Sequence, residues 1–191
     1  MHDLFDLRGN IESLGMIEFN SIAAGIKASD YMVKAARIKP LFIKTICPGK
    51  FIACIHGEVA SVKSAVDAGI ASAIETVVDH FIIANVNPVV VAAMTATTTG
   101  AQGPALGVIE TFSASAAIVA ADTASKSADV VIGEVRIAMG LGGKAYCLLS
   151  GDVAAVEAAV EAGAETVKKS GLLVRNVVIP AIDQDLISYI L

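Results

Sequence analysis

Three cysteines are the residues of this chain best suited to metal or redox chemistry. Cys47 lies in the stretch KTICPGKF, directly before a proline and a glycine and between Lys44 and Lys50. The apolar runs on both sides are typical of strands. We therefore expect the thiol at a surface turn, where the two lysines favour the thiolate. Cys54 and Cys147 lie in the apolar runs FIACI and AYCLL, which predicts small buried core residues.

A multi-thiolate site within one chain is not expected. Most of a predicted strand separates Cys47 from Cys54, a reach of up to roughly 23 Å, which is too far for a disulfide or a shared metal. A rotation axis near Cys47 would instead gather one thiolate from each chain. Composition alone does not separate zinc from an iron–sulfur cluster at such a site. The odd cysteine count, without a C-x-x-C pair, indicates a reducing cytosol.

The other ionisable residues form no recognisable catalytic set. His2, His56 and His80 are scattered along the chain, and we expect partly exposed histidines without a catalytic role. Glu18 and Glu110 repeat at matched strand ends, so we interpret them as structural. The sequence has no P-loop, G-x-S-x-G, H-E-x-x-H or dinucleotide-binding motif. We therefore predict that the protein is not an enzyme.

Composition argues against nucleic acid and membrane partners. The 191 residues are 55% hydrophobic, carry a net charge of −5 and include no tryptophan. No basic stretch alternates with aromatics, so binding to nucleic acid is not expected. The uncharged span 81–109 is interrupted by asparagine, threonine, glycine and proline, unlike a bilayer helix. The first thirteen residues lack the apolar region of a secretory signal.

The elements that must position these residues occur twice. LGMIEFNSIAAGIKASDYMVKAA at 14–36 parallels LGVIETFSASAAIVAADTASKSA at 106–128, with an offset of 92 residues. GKFIACIHGEVASVKSAVDAG at 49–69 parallels GKAYCLLSGDVAAVEAAVEAG at 143–163, with an offset of 94. Collinear matches of this length indicate a tandem duplication.

Each copy predicts the order βαββαβ, the ferredoxin-like split βαβ arrangement of the α/β (α+β) class. The domains are predicted at 14–90 and 105–191, after an N-terminal extension 1–13 and with a linker 91–104 between them. The predicted strands are 14–20, 39–46, 51–56 and 80–86, then 105–111, 130–139, 144–150 and 172–178. The predicted helices are 22–36, 58–76, 113–128 and 152–170.

The repeated motifs resemble the bacterial microcompartment shell domain. They are the opening LG-[MV]-IE, D-x-x-x-K-x-A in the first helix, and G-[ED]-V-x-x-V-x-x-A-V-x-A-G at the second helix. The match covers 14–88 and 106–182, and two fused copies resemble the tandem-domain class of shell proteins. The resemblance implies a homotrimer shaped like a hexamer, which tiles with other shell proteins around a bacterial microcompartment in the cytoplasm. KTICPGKF resembles the iron–sulfur shell proteins of propanediol-utilisation-type microcompartments, which implies one [4Fe–4S] cluster on Cys47 from three chains.

The same resemblance assigns roles to residues of both copies. It places the turn between the second and third strands at a central pore, and two lysines at the plate edge. Many family members have an arginine after the proline that closes each domain. Here Val89 follows Pro88 and Ala181 follows Pro180, so contacts at the edge are expected to differ. The implied pore-lining residues are Cys47, Pro48, Gly49, Lys50, Gly140, Leu141, Gly142 and Gly143, and the implied edge residues are Lys34 and Lys126.

The expected function is a shell protein that passes electrons across the shell, or supplies clusters to a redox enzyme inside it. Two alternatives stay open at the level of sequence. One is a passive metabolite pore in which Cys47 binds no cluster. The other is a ferredoxin-like ligand-binding regulator that never tiles.

Overall fold

The computed structural model describes residues 11–95, 100–137 and 140–190. The chain divides into two compact units, one built mainly from residues up to Pro88 and the other mainly from residues after it. Most of the predicted N-terminal extension, including His2, lies outside the described residues. The predicted domain boundaries stay predictions.

The first domain has the predicted βαββαβ order. Its sheet has the strand order β2-β3-β1-β4, with β1 antiparallel to both β3 and β4. A 3-10 turn at Ile74–Thr76 precedes the last strand. The elements are β1 (Ser13–Phe19), α1 (Ile22–Ala35), β2 (Lys39–Ile46), β3 (Lys50–Gly57), α2 (Val59–Ser72) and β4 (Val77–Ala84).

The second domain repeats this architecture, which confirms the predicted fold class. Its sheet has the order β6-β7-β5-β8, and β5 is antiparallel to β7 and β8. A helix α3 (Pro88–Met94) precedes the domain, and a helix α6 (Gln184–Ile190) follows it. The repeated elements are β5 (Ala105–Thr111), α4 (Ala114–Ser127), β6 (Val131–Ile137), β7 (Ala145–Gly151), α5 (Val153–Lys168) and β8 (Leu173–Ile179).

The first helix of each domain begins at a serine N-cap. The Ser21 hydroxyl accepts a hydrogen bond from the Ala24 N–H at 3.3 Å, and the Ser113 hydroxyl accepts one from the Ala116 N–H at 2.9 Å. A serine at this position satisfies an amide group that has no partner within the helix. The repeated helix starts therefore have a local cause in the sequence.

The repeated Leu-Gly opening of each domain lets a helix pack closely on the central strand. All seven residues of β1 are buried. A Cβ atom added to Gly15 would lie 2.6 Å from Val62 of α2, and one added to Gly107 would lie 2.5 Å from Val160 of α5. No side chain fits at either position, so glycine fixes the packing of the second helix over the sheet.

The predicted elements were wrong in three places. The helix predicted at 58–76 ends at Ser72, and β4 begins at Val77 rather than at residue 80. The helix α3 lies across the predicted boundary between the first domain and the linker, and its Val90, Val91 and Ala93 are buried. The helix α6 was not predicted. No helix in the described parts of the chain combines the length and apolar character that a membrane crossing requires.

Candidate functional site

Cys47 lies at the first position of the turn that joins β2 to β3, as the sequence predicts. Its thiol is free and its side chain is half-buried, whereas Pro48 and Gly49 are exposed. The peptide bond between Cys47 and Pro48 is cis, and Gly49 has φ of +80°. A Cβ atom on Gly49 would meet no other atom within 4 Å. The turn therefore has open space beside it.

Lys50, which follows the turn, forms an ion pair that sequence reasoning missed. Its ammonium nitrogen lies 2.7 Å from Oε1 of Glu18, whose side chain is completely buried. In the strand register Glu18 pairs with Ile52, so Lys50 is the diagonal neighbour on the same face of the sheet. The charge of Lys50 is thus shared with Glu18 and is not available to the Cys47 thiol alone. Glu18 has the structural role predicted from its repetition.

The second domain contains the same ion pair. The Lys144 ammonium lies 2.5 Å from Oε1 of Glu110, and Glu110 pairs in register with Tyr146. This pair is more exposed: the side chains are 44% and 31% accessible, against 17% for Lys50 and 0% for Glu18. The sequence does contain a signal for the pair. Both copies have a lysine directly after the turn glycine and a glutamate at the matched strand end.

The corresponding turn of the second domain has no cysteine. Gly140, Gly142 and Gly143 have φ values of +73°, +61° and +89°, a region that favours glycine. The Lys144 N–H donates a hydrogen bond to the Leu141 carbonyl at 3.2 Å. Gly140 and Gly142 are exposed, Leu141 is half-buried and Gly143 is buried. Any chemistry that needs a thiol is therefore confined to the turn of the first domain.

The other two cysteines are core residues, as predicted. Cys54 on β3 and Cys147 on β7 are completely buried. Burial raises the pKa of the Cys54 thiol strongly and raises the pKa of Cys147 to about 12. A buried thiol that stays protonated at neutral pH is a poor ligand and a poor nucleophile. Within the described residues, no group of three or more His, Cys, Asp or Glu side chains is arranged to hold a metal ion.

The remaining histidines show no sign of a catalytic role. His56 is half-buried at the end of β3, and His80 is exposed on β4. The backbone N–H of His80 donates to the carboxylate of Asp79 at 2.9 Å. The prediction of partly exposed histidines is confirmed for these two residues.

The two lysines with a predicted edge role differ in their surroundings. The Lys34 ammonium lies 2.6 Å from the Asp30 carboxylate, and the hydrogen bond to Asp30 raises the pKa of Lys34. The Lys126 ammonium lies 2.6 Å from the Asp122 carboxylate. Lys34 and Asp30 are both exposed, whereas Asp122 is buried. The predicted i,i+4 pairs are present, but only the first is fully exposed in the single chain.

Comparison with known proteins places these features in a family. The family model described as the BMC domain matches residues 13–86 and again residues 105–182. The chain is 38% identical, over 88% of its length and 92% of the relative's, to the bacterial microcompartment shell protein PduT of Citrobacter freundii. The EutM shell protein of Salmonella typhimurium is 51% identical over 63 residues, which is 33% of this chain and 66% of EutM.

Two solved structures share the fold. The crystal structure of a microcompartments protein from Desulfitobacterium hafniense DCB covers 91% of this chain and 97% of its own, with a TM-score of 0.81 and 49% identity. A fused, permuted hexameric shell protein of the RMM microcompartment has a TM-score of 0.62 over 82% of this chain and 81% of its own. At 22% identity, the second comparison supports the fold alone.

Proposed function

We propose that this chain, which belongs to the BMC-domain family of bacterial microcompartment shell proteins, assembles as a homotrimer that tiles into the shell of a microcompartment in the bacterial cytoplasm. The trimer supplies six similar domains, and the role is structural rather than enzymatic. We propose in addition that the centre of the trimer holds an iron–sulfur cluster, through which electrons would pass across the shell.

The proposed assembly is supported by a difference in side-chain burial between matched positions of the two domains. Ile26 on α1 is 58% exposed, whereas Ile118, its counterpart on α4, is completely buried. Four residues of α1 are buried against nine of α4, so the face that is covered in the second domain is open in the first. The strand β2 is likewise mostly accessible, whereas β6 is mostly buried.

An open apolar face of this kind is unusual on a monomer. It includes Ile22, Ile26 and Val33, each at least 39% exposed. Burial of this apolar surface would stabilise an interface by about 25 cal/mol per Å². A head-to-tail interface that is repeated by rotation can close into a ring. We therefore propose that a second copy of the chain covers this face.

Light scattering tests the assembly with a matched pair of variants. Ile26→Glu should convert the trimer into smaller species, because it places a charge in the proposed interface. Ile74→Glu is the control, because Ile74 is also exposed but lies in the 3-10 turn before β4, so the same charge is added outside the proposed face. A wild-type monomer, or an Ile26→Glu protein that stays trimeric, would contradict the assembly.

The residues of the Cys47 turn fit an iron–sulfur cluster only if three chains contribute. One chain offers one soft thiolate with open space beside it, and the other cysteines are buried elsewhere in the sheets. Three thiolates from three chains would leave one iron of a [4Fe–4S] cubane for a different ligand. Such a cluster, when bound, supplies one-electron transfer. Zinc is the competing occupant, because zinc also binds thiolates.

Support for the cluster comes from the resemblance of KTICPGKF to iron–sulfur shell proteins and from the position of Cys47 in the turn. Gly140 to Gly143 supply the corresponding turn without a cysteine. The partners would be other shell proteins, beside which the trimer tiles, and an enclosed redox enzyme. The residues Pro48, Gly49 and Lys50 would line the pore with Cys47, and Lys34 and Lys126 would act at the plate edge.

Anaerobic reconstitution with iron and sulfide tests the cluster separately from the assembly. The wild type should gain visible absorption, with about four irons and four sulfides per three chains if a [4Fe–4S] cubane forms. Cys47→Ser should bind none while remaining trimeric by light scattering. If the wild-type trimer takes up zinc but no cluster, or if Cys47→Ser still takes up a full cluster, the passive pore becomes the better account.

A further inference from the structure

A cavity of about 410 Å³ lies in the first domain, away from the Cys47 turn. Its walls come from two places, the start of β2 with the connection before it, and the end of β3 with the first turn of α2. Arg37 and Lys39 line it from the first place, and His56 and Ser61 line it from the second. We call it the basic cavity. Its volume is in the range of small-molecule sites, about 300–1,000 Å³.

The charges of the basic cavity suit an anion. Arg37 and Lys39 are cationic at neutral pH, and Glu58 is the acidic residue among its lining side chains. The planar fork of an arginine binds two oxygens of a phosphate or carboxylate at once, and a lysine adds a compact charge. The Ser61 hydroxyl can donate from a second wall. Donors on more than one wall favour a tetrahedral oxyanion over a planar one.

The second domain has the same backbone at this place but different side chains. The contacts of Gly57 with the Arg37 carbonyl and Ile38 match those of Gly151 with the Asp129 carbonyl and Val130, which aligns the two regions. The repeat replaces both cations, one of them by an acid. The counterparts of Arg37, Lys39, His56 and Ser61 are Asp129, Val131, Ser150 and Ala155.

The second domain has the same fold without these cations. Packing of the fold therefore does not explain why the first domain has Arg37 and Lys39. Arg37 and Lys39 are also exposed, which means that they contribute little to the core. We propose that the basic cavity binds a small phosphate-bearing molecule, and that only the first domain has this site. The proposal concerns the single domain and does not depend on tiling or on the cluster.

The second domain also supplies the design of the test variant. Arg37→Asp combined with Lys39→Val installs the side chains found at the matched positions, so the fold is known to accept them. The control is Lys168→Asp combined with Lys169→Val, which makes the same change in net charge on exposed residues of the second domain. Calorimetric titration of the full-length protein with inorganic phosphate, in a buffer without other oxyanions, measures the affinity.

We expect saturable binding of one phosphate per chain. The double variant in the first domain should lose at least about tenfold in affinity, since hydrogen bonds to charged groups contribute that much or more. The control variant should bind as the wild type does. A titration with glycerol phosphate identifies the source: tighter binding than inorganic phosphate indicates an organic phosphate, and equal binding indicates the free ion.

Three results would overturn the proposal. The first is the absence of saturation by either phosphate probe in the millimolar range. The second is an equal loss of affinity in the cavity and control variants, which would reveal a general charge effect. The third is acetate binding as tightly as phosphate, because a site built for a tetrahedral oxyanion discriminates against a planar carboxylate.

Discussion

The matched ion pairs Lys50–Glu18 and Lys144–Glu110 provide a controlled test of how burial sets the energy of a charge pair. The two pairs have the same residue types, the same place in the repeat and nearly the same distance, 2.7 and 2.5 Å. They differ in exposure, with Glu18 completely buried and Glu110 about one-third accessible. We predict that Lys50→Met destabilises the protein much more than Lys144→Met does.

The expected magnitudes follow from the environment of each glutamate. Removing one partner of a buried pair leaves a charge in a low-dielectric site and costs roughly 3–5 kcal/mol. Because Lys50 is 17% accessible, we expect the lower end, about 3 kcal/mol. The Lys144 pair is solvent-screened, so its loss should cost about 0–1 kcal/mol. With a urea slope of about 2 kcal/mol/M, the unfolding midpoint should fall by about 1.5 M for Lys50→Met and by under about 0.5 M for Lys144→Met.

Urea unfolding followed by circular dichroism, at one fixed protein concentration, measures the difference, because assembly also shifts apparent stability. The double variant Glu18→Gln with Lys50→Met should recover much of the loss, since it removes the buried charge together with its lysine. Equal losses for Lys50→Met and Lys144→Met, or a Lys50→Met loss below about 1 kcal/mol, would refute the reasoning from burial.

Three further predictions address the thiols, the turn and the edge. In native protein at pH 8 a thiol reagent should modify Cys47 alone, because burial keeps the pKa of Cys147 at about 12 and that of Cys54 also well above its usual value; modification of all three without denaturant would contradict this. Gly49→Ala should cost about 1–2 kcal/mol by thermal unfolding, since φ of +80° strains any residue with a Cβ, and a neutral result would show that the turn relaxes. Lys34→Asp and Lys126→Asp should impair sheet formation in electron micrographs while leaving the trimer intact, and normal sheets from both variants would remove their edge role.

Much of the fold could be predicted because the sequence marks the same elements twice. The glycine in each Leu-Gly opening and the serine at each first helix are local signals with a direct physical effect, close packing and helix capping. The helix α3 was missed because its valines have low helical propensity and the segment is rich in threonine and glycine. Proline at its first position was the signal for a helix start, and the burial of Val90 and Val91 stabilises it.

The candidate site could be predicted only in part. The turn position of Cys47 follows from the strands around it, and the burial of Cys54 and Cys147 follows from their apolar neighbours. The pairing of Lys50 with Glu18 depends on a strand register between residues 32 apart in sequence, which local patterns do not specify. The exposure of Ile26 but not Ile118 could not be predicted from residue type, because both matched positions are isoleucine.

A tandem chain allows a division of chemistry that a ring of identical single domains does not. In a homohexamer every substitution appears at all six positions, so a thiol at the central turn would appear six times. In the proposed trimer Cys47 would appear three times and alternate with the cysteine-free turn at Leu141, which would supply three thiolates to the proposed cluster. The basic cavity follows the same logic, since Arg37 and Lys39 of the first domain correspond to Asp129 and Val131 in the second. The serine caps and the Glu–Lys pairs are present in both domains, whereas the side chains at these two places differ.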